Sequence, residues 1–136
     1  MNDSLLLDTH ALVWLLEGDQ RLGRDGRELA EVALRADGLL VSAISFWEVA
    51  MLSKQKRLAL AYPVSIWRQA VLQLGIAEVP MAGDIGIIAA ELEDLPGDPA
   101  DRIIMATVLL RGCSLLTADE RILGWGGILP RHDARQ

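Results

Sequence analysis

Four short, mostly apolar runs constrain the fold of this 136-residue chain most strongly, because each has the length of a buried strand. They are Leu5–Leu7, Leu39–Val41, Ile76–Val79 and Ser114–Leu116. Between consecutive runs the apolar residues recur at helical spacing. Buried strands that alternate with helices are typical of a parallel sheet that is covered on both faces. The sequence therefore predicts an α/β fold with a central parallel sheet.

The helical stretches have recognisable ends. Ser45 is expected to cap a helix that continues to Lys54–Arg57, with Glu48 as its capping-box partner. Asp98 and Pro99 begin a second helix, Ala100–Arg111. The other predicted elements are a helix beyond Asp8, helices over Arg24–Ala36, Pro63–Leu74, Gly83–Leu92 and Asp119–Leu123, a loop at Leu95–Gly97, an edge strand at Gly127–Leu129 and a loose tail from Arg131.

Length and composition bound the organisation of the chain. Residues 1–136 fit a single domain. A hydrophobic content of 51% indicates apolar surface that a second copy or a partner covers. No apolar run approaches the roughly 18–20 residues that cross a bilayer, so no membrane association is expected. Cys113 is the only cysteine and no export signal is recognisable at the N-terminus, so the cytoplasm is the expected location.

The net charge of −6 argues against general electrostatic binding of nucleic acid, which depends on clustered lysine and arginine. The argument weakens if many of the acids lie together and hold divalent cations, because a bound cation reverses the local field and attracts phosphate. Net charge alone therefore does not decide whether the substrate is a nucleic acid.

Four acids follow or lie near the ends of the predicted strands: Asp8, Glu48, Asp101 and Asp119. Ligands of open parallel sheets bind beyond the carboxyl ends of the strands, so we expect these side chains to converge. Four close carboxylates cannot all stay ionised without a cation, and Mg²⁺ or Mn²⁺ suits such oxygen ligands. A metal of this kind makes bound water a usable nucleophile and stabilises charge on a phosphodiester. The cluster therefore predicts phosphodiester hydrolysis.

Each acid also has a purely structural interpretation, since all four lie where a carboxylate caps or favours a helix start. Asp98 is better explained as an N-cap than as a metal ligand. Further candidates near the site are the strand-end residues Thr9, Ser42 and Thr117, then His10, and the possible substrate contacts Arg102, Lys54 and Lys56. The four tryptophans are expected in the core or an interface, because their spacing matches no single surface.

Stretches covering nearly the whole chain resemble one family, in that family's order: Leu5–Leu16 (LLLDTHALVWLL), Val41–Leu52 (VSAISFWEVAML), Leu74–Pro80, Asp98–Val108 (DPADRIIMATV) and Leu115–Ile122 (LLTADERI). The chain is similar to PIN domains and, among them, to the VapC-type toxins of toxin–antitoxin pairs. Any one stretch is common, whereas the ordered set is specific.

This resemblance implies a three-layer α/β/α fold and a Mg²⁺- or Mn²⁺-dependent endoribonuclease that inhibits translation or growth. The family's acids match Asp8, Glu48, Asp101 and Asp119, with Asp8 and Asp101 as the principal metal ligands. Asp98, within the DPADR motif, ranks behind them, and Thr9 and Thr117 match small hydroxyl residues near the site. The expected partners are an RNA substrate, a cognate antitoxin that inserts into the active-site groove, and a second copy in a homodimer.

Two other enzyme classes use an aspartate at the end of a first strand. Haloacid-dehalogenase-like phosphatases need a second aspartate two residues later, where this chain has His10. Receiver domains need a lysine at a late strand end, and the only lysines are Lys54 and Lys56. The remaining alternative is a non-catalytic PIN-fold module that binds RNA or protein, which would be expected to lack at least one of the four acids.

Overall fold

The computed structural model describes residues 3–95 and 98–136, so the predicted loop at Leu95–Gly97 falls mostly outside the described residues. The elements in chain order are β1 (Leu5–Leu7), α1 (Thr9–Glu17), α2 (Arg24–Arg35), β2 (Leu39–Ser42), α3 (Ala43–Lys54), α4 (Val64–Gln73), β3 (Ala77–Val79), α5 (Gly83–Glu91), α6 (Pro99–Arg111), β4 (Ser114–Thr117), α7 (Glu120–Leu123) and β5 (Arg131–Asp133). None of the helices in the described part of the chain is long and apolar enough to span a membrane.

The five strands form one sheet in the order β3-β2-β1-β4-β5, and every neighbouring pair is parallel. Strand β1 is central, with Leu6 paired to Leu40 on one side and to Leu115 on the other. The chain builds outward from β1 through β2 to β3, and then returns to place β4 on the opposite side of β1. This change of direction opens a crevice beyond the carboxyl ends of β1 and β4.

Helices cover both faces of the sheet, which confirms the predicted three-layer architecture. Alternate residues of β1 face opposite layers: Leu5 and Leu7 pack in the layer that contains α1, α2, α3 and α4, whereas Leu6 packs in the layer that contains α5 and α6. Burying one leucine side chain contributes about 1.5–3 kcal/mol. Strand β1 therefore anchors both halves of the core and fixes the position of the residue that follows it.

Helix α3 begins three residues earlier than predicted. Its N-cap is Ser42, the last residue of β2, whose hydroxyl accepts a 3.2 Å hydrogen bond from the backbone N–H of Ile44. Ser45 lies inside the first turn and is fully buried, so the predicted capping box of Ser45 and Glu48 is wrong. The reason is that β2 passes into α3 without a loop, so the hydroxyl of Ser42 at the end of the strand already reaches a free N–H of the first helical turn.

The predicted edge strand at Gly127–Leu129 and the loose tail from Arg131 are both wrong. Arg131–Asp133 form β5, which pairs with Leu115–Thr117 of β4. Ala134 is fully buried, donates its N–H to Thr117 O at 2.8 Å and accepts from Gly23 N–H at 2.8 Å. A short edge strand that is half exposed needs no apolar pattern, which is why the Arg-His-Asp sequence gave no strand signal.

Candidate active site

A small cavity of about 100 Å³ lies beyond the carboxyl ends of the strands and contains all four predicted acids. Its walls are formed by Asp8, Thr9, His10, Glu48, Asp98, Asp101, Asp119 and Arg121. The four acids come from separate parts of the chain, so only the fold brings them together. Five carboxylates around so small a volume form an oxygen-rich, strongly acidic site.

Asp8 is held from two sides at the centre of this site. It directly follows β1 and caps α1, with Oδ1 accepting a 2.8 Å hydrogen bond from Ala11 N–H. Its Oδ2 accepts a 2.5 Å hydrogen bond from the hydroxyl of Thr117, the last residue of β4. Asp8 is only 5% exposed, and this burial raises the pKa of its carboxyl although both hydrogen bonds oppose the rise. Asp8 therefore has fixed oxygens in the crevice between β1 and β4.

Glu48 is positioned by a buried pair of hydroxyls. The Thr9 hydroxyl at the start of α1 donates to Oε1 of Glu48 and lies 2.9 Å from the hydroxyl of Ser45, one turn earlier on α3. Burial raises the pKa of Glu48, and the negative charge of Asp98 adds to the rise. Thr9 thus joins α1 to α3 and turns Glu48 toward the cavity, whereas Ser45 supports Thr9 instead of capping a helix.

Two acids reach the cavity from the start of α6. Asp98 is the N-cap, with Oδ1 accepting from Ala100 N–H at 2.7 Å, and it also lines the cavity. Asp101 lies in the first turn of the same helix. Burial, followed by repulsion from Asp98, Asp119 and Glu48, raises the pKa of Asp101 to about 7. Carboxylates that repel one another in this way favour a cation between them, because a positive charge would offset the repulsion.

Asp119 and Arg121 close the cavity on the side of α7. Asp119 caps this four-residue helix by accepting from Arg121 N–H at 2.8 Å. Nη2 of Arg121 lies 3.2 Å from Oδ2 of Asp101 and 3.2 Å from Oδ2 of Asp119. Burial works to raise the pKa of Asp119, but the hydrogen bonds from Arg121 outweigh it and hold that pKa below its ordinary value.

Arg121 is the site residue that the sequence interpretation missed. Its side chain is 51% exposed, so the guanidinium reaches both the acids and the solvent. The available signal was its position two residues after Asp119 in the LLTADERI stretch. In a short helix capped by Asp119, this spacing lets the arginine side chain fold back over the capping carboxylate, as the 3.2 Å contact between them shows.

The remaining candidates lie outside the cavity. The hydroxyl of Ser42 is used to cap α3. The guanidinium of Arg102, predicted to contact substrate, donates instead to the carbonyls of Ala89, Leu92 and Leu95 at 2.7–3.0 Å, which ties α6 to α5 and the segment after it. Lys54 and Lys56 are exposed at the far end of α3. Lys54 is six residues beyond Glu48, or about 9 Å along the helix axis.

The donor set fits a hard divalent cation. Five carboxylates line the cavity, and Mg²⁺ and Mn²⁺ prefer oxygen ligands of this kind. Within residues 3–95 and 98–136, no three Asp, Glu, His or Cys side chains already form a metal-binding group. Mg²⁺ takes one or two carboxylates and completes its shell with water and substrate oxygens, so it does not need a preformed cage of three. The Arg121 guanidinium already contacts Asp101 and Asp119, so its positive charge would compete with a cation for these two carboxylates.

Comparison with known proteins agrees with this geometry. The sequence model of the PIN domain family matches residues 5–124. Ribonuclease VapC22 from Mycobacterium tuberculosis is 38% identical over 120 residues, which make up 88% of this chain and 89% of that protein. The matched region contains all the residues that line the carboxylate cavity.

Solved structures share the fold at lower identity. A toxin-antitoxin complex from Klebsiella pneumoniae is 24% identical, with a TM-score of 0.62 over 93% of this chain and 96% of that chain. VapBC2 from Rickettsia felis, bound to a DNA fragment from its promoter, is 13% identical, with a TM-score of 0.69 over 94% of this chain and 96% of that chain. The family match, the 38% identity and the shared fold agree: this chain belongs to the PIN domain family, and a relative that it matches along most of its length is named as a VapC ribonuclease.

Proposed function

We propose that this protein is a Mg²⁺- or Mn²⁺-dependent endoribonuclease and acts as the toxin of a toxin–antitoxin pair. The observation that carries the proposal is the convergence of Asp8, Glu48, Asp101 and Asp119, with Asp98, on one small cavity at the crevice of the sheet. Its 38% identity to a protein named as a ribonuclease supports RNA as the substrate. Nothing in this chemistry requires a cysteine, serine or histidine nucleophile.

Asp8 and Asp101 are the principal ligands in this proposal. Glu48, Asp119 and Asp98 bind directly or through water. When bound, the cation stabilises the negative charge that develops on the phosphodiester and makes water a better nucleophile. Thr117 and the Ala11 N–H fix the orientation of Asp8, whereas Thr9 fixes that of Glu48. Preorganised carboxylates of this kind need no rearrangement at the moment of reaction.

Arg121 supplies positive charge where the protein as a whole is negative. Its guanidinium reaches the solvent from the rim of the cavity, so it can turn from the carboxylates to a phosphate oxygen of the substrate. Lys54 and Lys56 are exposed beyond the cavity and would hold the RNA backbone away from the cut bond. RNA binding thus depends on local cations, which offset the net charge of −6.

Two protein partners belong to the same proposal. A cognate antitoxin covers the acidic cavity. A second copy of the chain forms a homodimer that covers exposed apolar side chains, among them Trp47, Met81 and Ile87. An apolar cavity of about 210 Å³ between α5 and α6 is lined by Met81, Ala89 and Ile103 among others, and Ile87 of α5 is 62% exposed. Replacing Ile87 by Glu and measuring molar mass by light scattering tests the dimer, because a charge in that interface would yield monomers.

The central experiment is incubation of the purified protein, freed of any antitoxin, with total cellular RNA. Separate reactions contain Mg²⁺, Mn²⁺, EDTA, or EDTA followed by excess Mn²⁺, and each is repeated with Asp8→Asn and Asp101→Asn. Discrete fragments that require metal and disappear in both variants are the expected result. Asp37→Asn is the matched control, because Asp37 is exposed in the turn before β2, outside the cavity, and asparagine readily adopts its left-handed backbone (φ 57°).

Two outcomes would overturn the proposal. Cleavage that persists in EDTA would exclude a metal-dependent mechanism. Binding of RNA without cleavage under any condition would favour the alternative of a non-catalytic PIN-fold module. Circular dichroism of the two variants guards against loss of fold. Asp8→Asn keeps the size of the side chain, and its amide oxygen can still accept from Ala11 N–H while its NH₂ group donates to the Thr117 hydroxyl.

A further inference from the structure

A second cavity adjoins the carboxylate cavity. It measures about 240 Å³ and is lined by Asp8, His10, Trp14, Ala118 and Asp119. Asp8, His10 and Asp119 line both cavities, so the two spaces meet at these residues. Any group that occupies the second cavity, hereafter the His10 cavity, lies directly beside the carboxylates that would act on the RNA backbone.

The walls of the His10 cavity offer flat aromatic surface. His10 is exposed in the first turn of α1, and its ring centroid lies 6.3 Å from that of Trp14, one turn later, with the two planes tilted by 56°. Trp14 is largely buried, and the guanidinium of Arg21 lies 5.2 Å above its ring. The indole is therefore fixed by the core on one side and by a cation–π contact on another, which makes it a rigid support for the exposed His10 ring.

The polar groups of the His10 cavity lie on one side only. Asp8 and Asp119 stand where it opens into the carboxylate cavity, whereas Trp14 and Ala118 leave the rest apolar or aromatic. A charged phosphate is repelled by this combination, and a sugar finds few hydrogen-bond partners there. A planar, weakly polar ring is the part of a nucleotide that fits, because nucleobases bind single-strand readers by stacking on aromatic side chains.

We propose that the His10 cavity is a subsite for a single nucleobase of the RNA, adjacent to the phosphate that is cut. The inference rests on the proposed ribonuclease function and extends it to substrate recognition. The volume is below the roughly 300 Å³ at which pockets for drug-sized ligands begin, so the cavity suits a group of the size of a single base. Recognition by stacking tolerates every base, so the subsite requires a base without strongly selecting its identity.

The first test measures binding without catalysis. The chain has only two histidines, His10 and His132, so the imidazole signals in a proton NMR spectrum separate into one at the proposed subsite and one on β5. The protein is titrated at constant pH in excess Mg²⁺ with the four nucleoside 5′-monophosphates, which contain no phosphodiester to cleave, and with ribose 5-phosphate as the abasic control. The expected result is a saturable shift of the His10 signal with the nucleotides, with no shift of His132.

The second test measures substrate recognition by a variant pair. His10→Ala removes the ring, whereas His10→Phe keeps an aromatic surface without a titratable group. The substrate is a short RNA that contains one mapped cleavage site, prepared with a base or with an abasic ribose at each flanking position in turn. We expect His10→Ala to lower kcat/KM about five-fold or more, with His10→Phe close to the unmodified protein. An abasic ribose at one of the flanking positions should remove the difference in kcat/KM between His10→Ala and His10→Phe.

Each result decides the question. An unchanged His10 signal, or an equal shift with ribose 5-phosphate, overturns the base subsite. Equal kcat/KM values for His10→Ala and His10→Phe on the intact RNA also overturn it. Because the NMR titration needs no cleavage, a base-dependent shift of His10 in a protein that cuts no RNA would support the subsite and reject the ribonuclease. Metal-dependent cleavage without that shift would do the reverse.

Discussion

The hydroxyl of Thr117 donates a 2.5 Å hydrogen bond to Oδ2 of Asp8 across 109 residues of sequence. Thr117 ends β4 and Asp8 follows β1, so this contact joins the two strands between which the crevice opens. The same hydroxyl accepts from Asp119 N–H at 3.0 Å, and thereby sets the position of a second acid. One buried hydroxyl thus orients two of the four carboxylates.

Replacing Thr117 by Val, which is similar in shape but lacks the hydroxyl, should lower Mn²⁺ affinity and RNA cleavage by about 10- to 100-fold, because residues that orient metal ligands have effects of this size. Titration calorimetry with Mn²⁺ and initial rates of cleavage measure the two quantities. Thr117→Ser keeps the hydroxyl and serves as the control. Equal Mn²⁺ affinity in the valine variant and the unmodified protein would show that Asp8 needs no such support.

Replacing Arg121 by Gln should tighten Mn²⁺ binding by up to about five-fold, because the guanidinium competes with the cation for Asp101 and Asp119. The same variant should bind RNA less tightly, since a phosphate contact is lost. Arg135→Gln is the matched control, because Arg135 pairs with Asp133 and Glu120 instead. Weaker Mn²⁺ binding in the Arg121 variant would mean that the arginine orders the ligands and does not compete for them.

The stability of the metal-free protein should fall as the pH rises toward and through neutrality. Burial and neighbouring charges raise the pKa of Asp101 from 3.8 to about 7, and they also raise the pKa values of Asp8 and Glu48. Between the ordinary and the raised pKa values, the folded state keeps protons that the unfolded chain has lost, so the free energy of unfolding decreases with pH. Thermal melts in EDTA from pH 5 to pH 8 measure this slope, and Asp101→Asn should flatten it.

Added Mg²⁺ or Mn²⁺ should reverse that loss. A ligand at about 100 times its Kd stabilises the state it binds by about 2.7 kcal/mol, which corresponds to a rise in Tm of about 10 °C for a domain of this size. The rise should be larger at pH 8 than at pH 5, because a cation binds ionised carboxylates. Melts with Asp8→Asn provide the control. A metal-induced rise that is independent of pH would place the binding site elsewhere.

Replacing Arg102 by Met should destabilise the fold by about 2 kcal/mol, because three buried or half-buried carbonyls lose a charged donor. If the role of Arg102 is structural, the folded fraction of the variant should cleave RNA with an unchanged KM. Urea melts and steady-state kinetics give the two readouts. Arg35→Met, at an exposed arginine in the last turn of α2, controls for loss of positive charge. A raised KM in an Arg102→Met variant of unchanged stability would show that Arg102 contacts the substrate, as the sequence suggested.

Much of the site could be predicted because its residues lie next to strong local signals. The apolar runs at Leu5–Leu7 and Ser114–Leu116 identify two central strands, and an acid follows each one within three residues. The rule that ligands bind beyond strand ends then predicts their convergence without any knowledge of distances. The fold class follows from the same runs, since a strand buried on both faces must be apolar on both.

The rest depended on information that local sequence does not carry. Ser42 and Ser45 have equal capping propensity, and only the direct passage from β2 into α3 selects the first. Arg131–Asp133 are polar because they lie at an edge, so they resemble a tail. Arg102 and Arg121 each follow an acidic residue in the sequence, so local sequence does not distinguish their roles. Arg102 binds backbone carbonyls and Arg121 binds the carboxylate of Asp101, and these partners lie in other parts of the fold.

The central position of β1 also determines when the enzyme can exist. Chains fold from the N-terminus as the ribosome delivers them. Strand β2 is synthesised soon after β1 and can pair with it early. The other neighbour of β1 is β4, in which Ser114, the partner of Leu5, follows Leu5 by 109 residues. Until Ser114–Asp119 emerge, Asp8 lacks Thr117, and the fourth carboxylate is still missing. A ribosome that translates this chain is therefore not exposed to its nuclease until synthesis has passed the last acid.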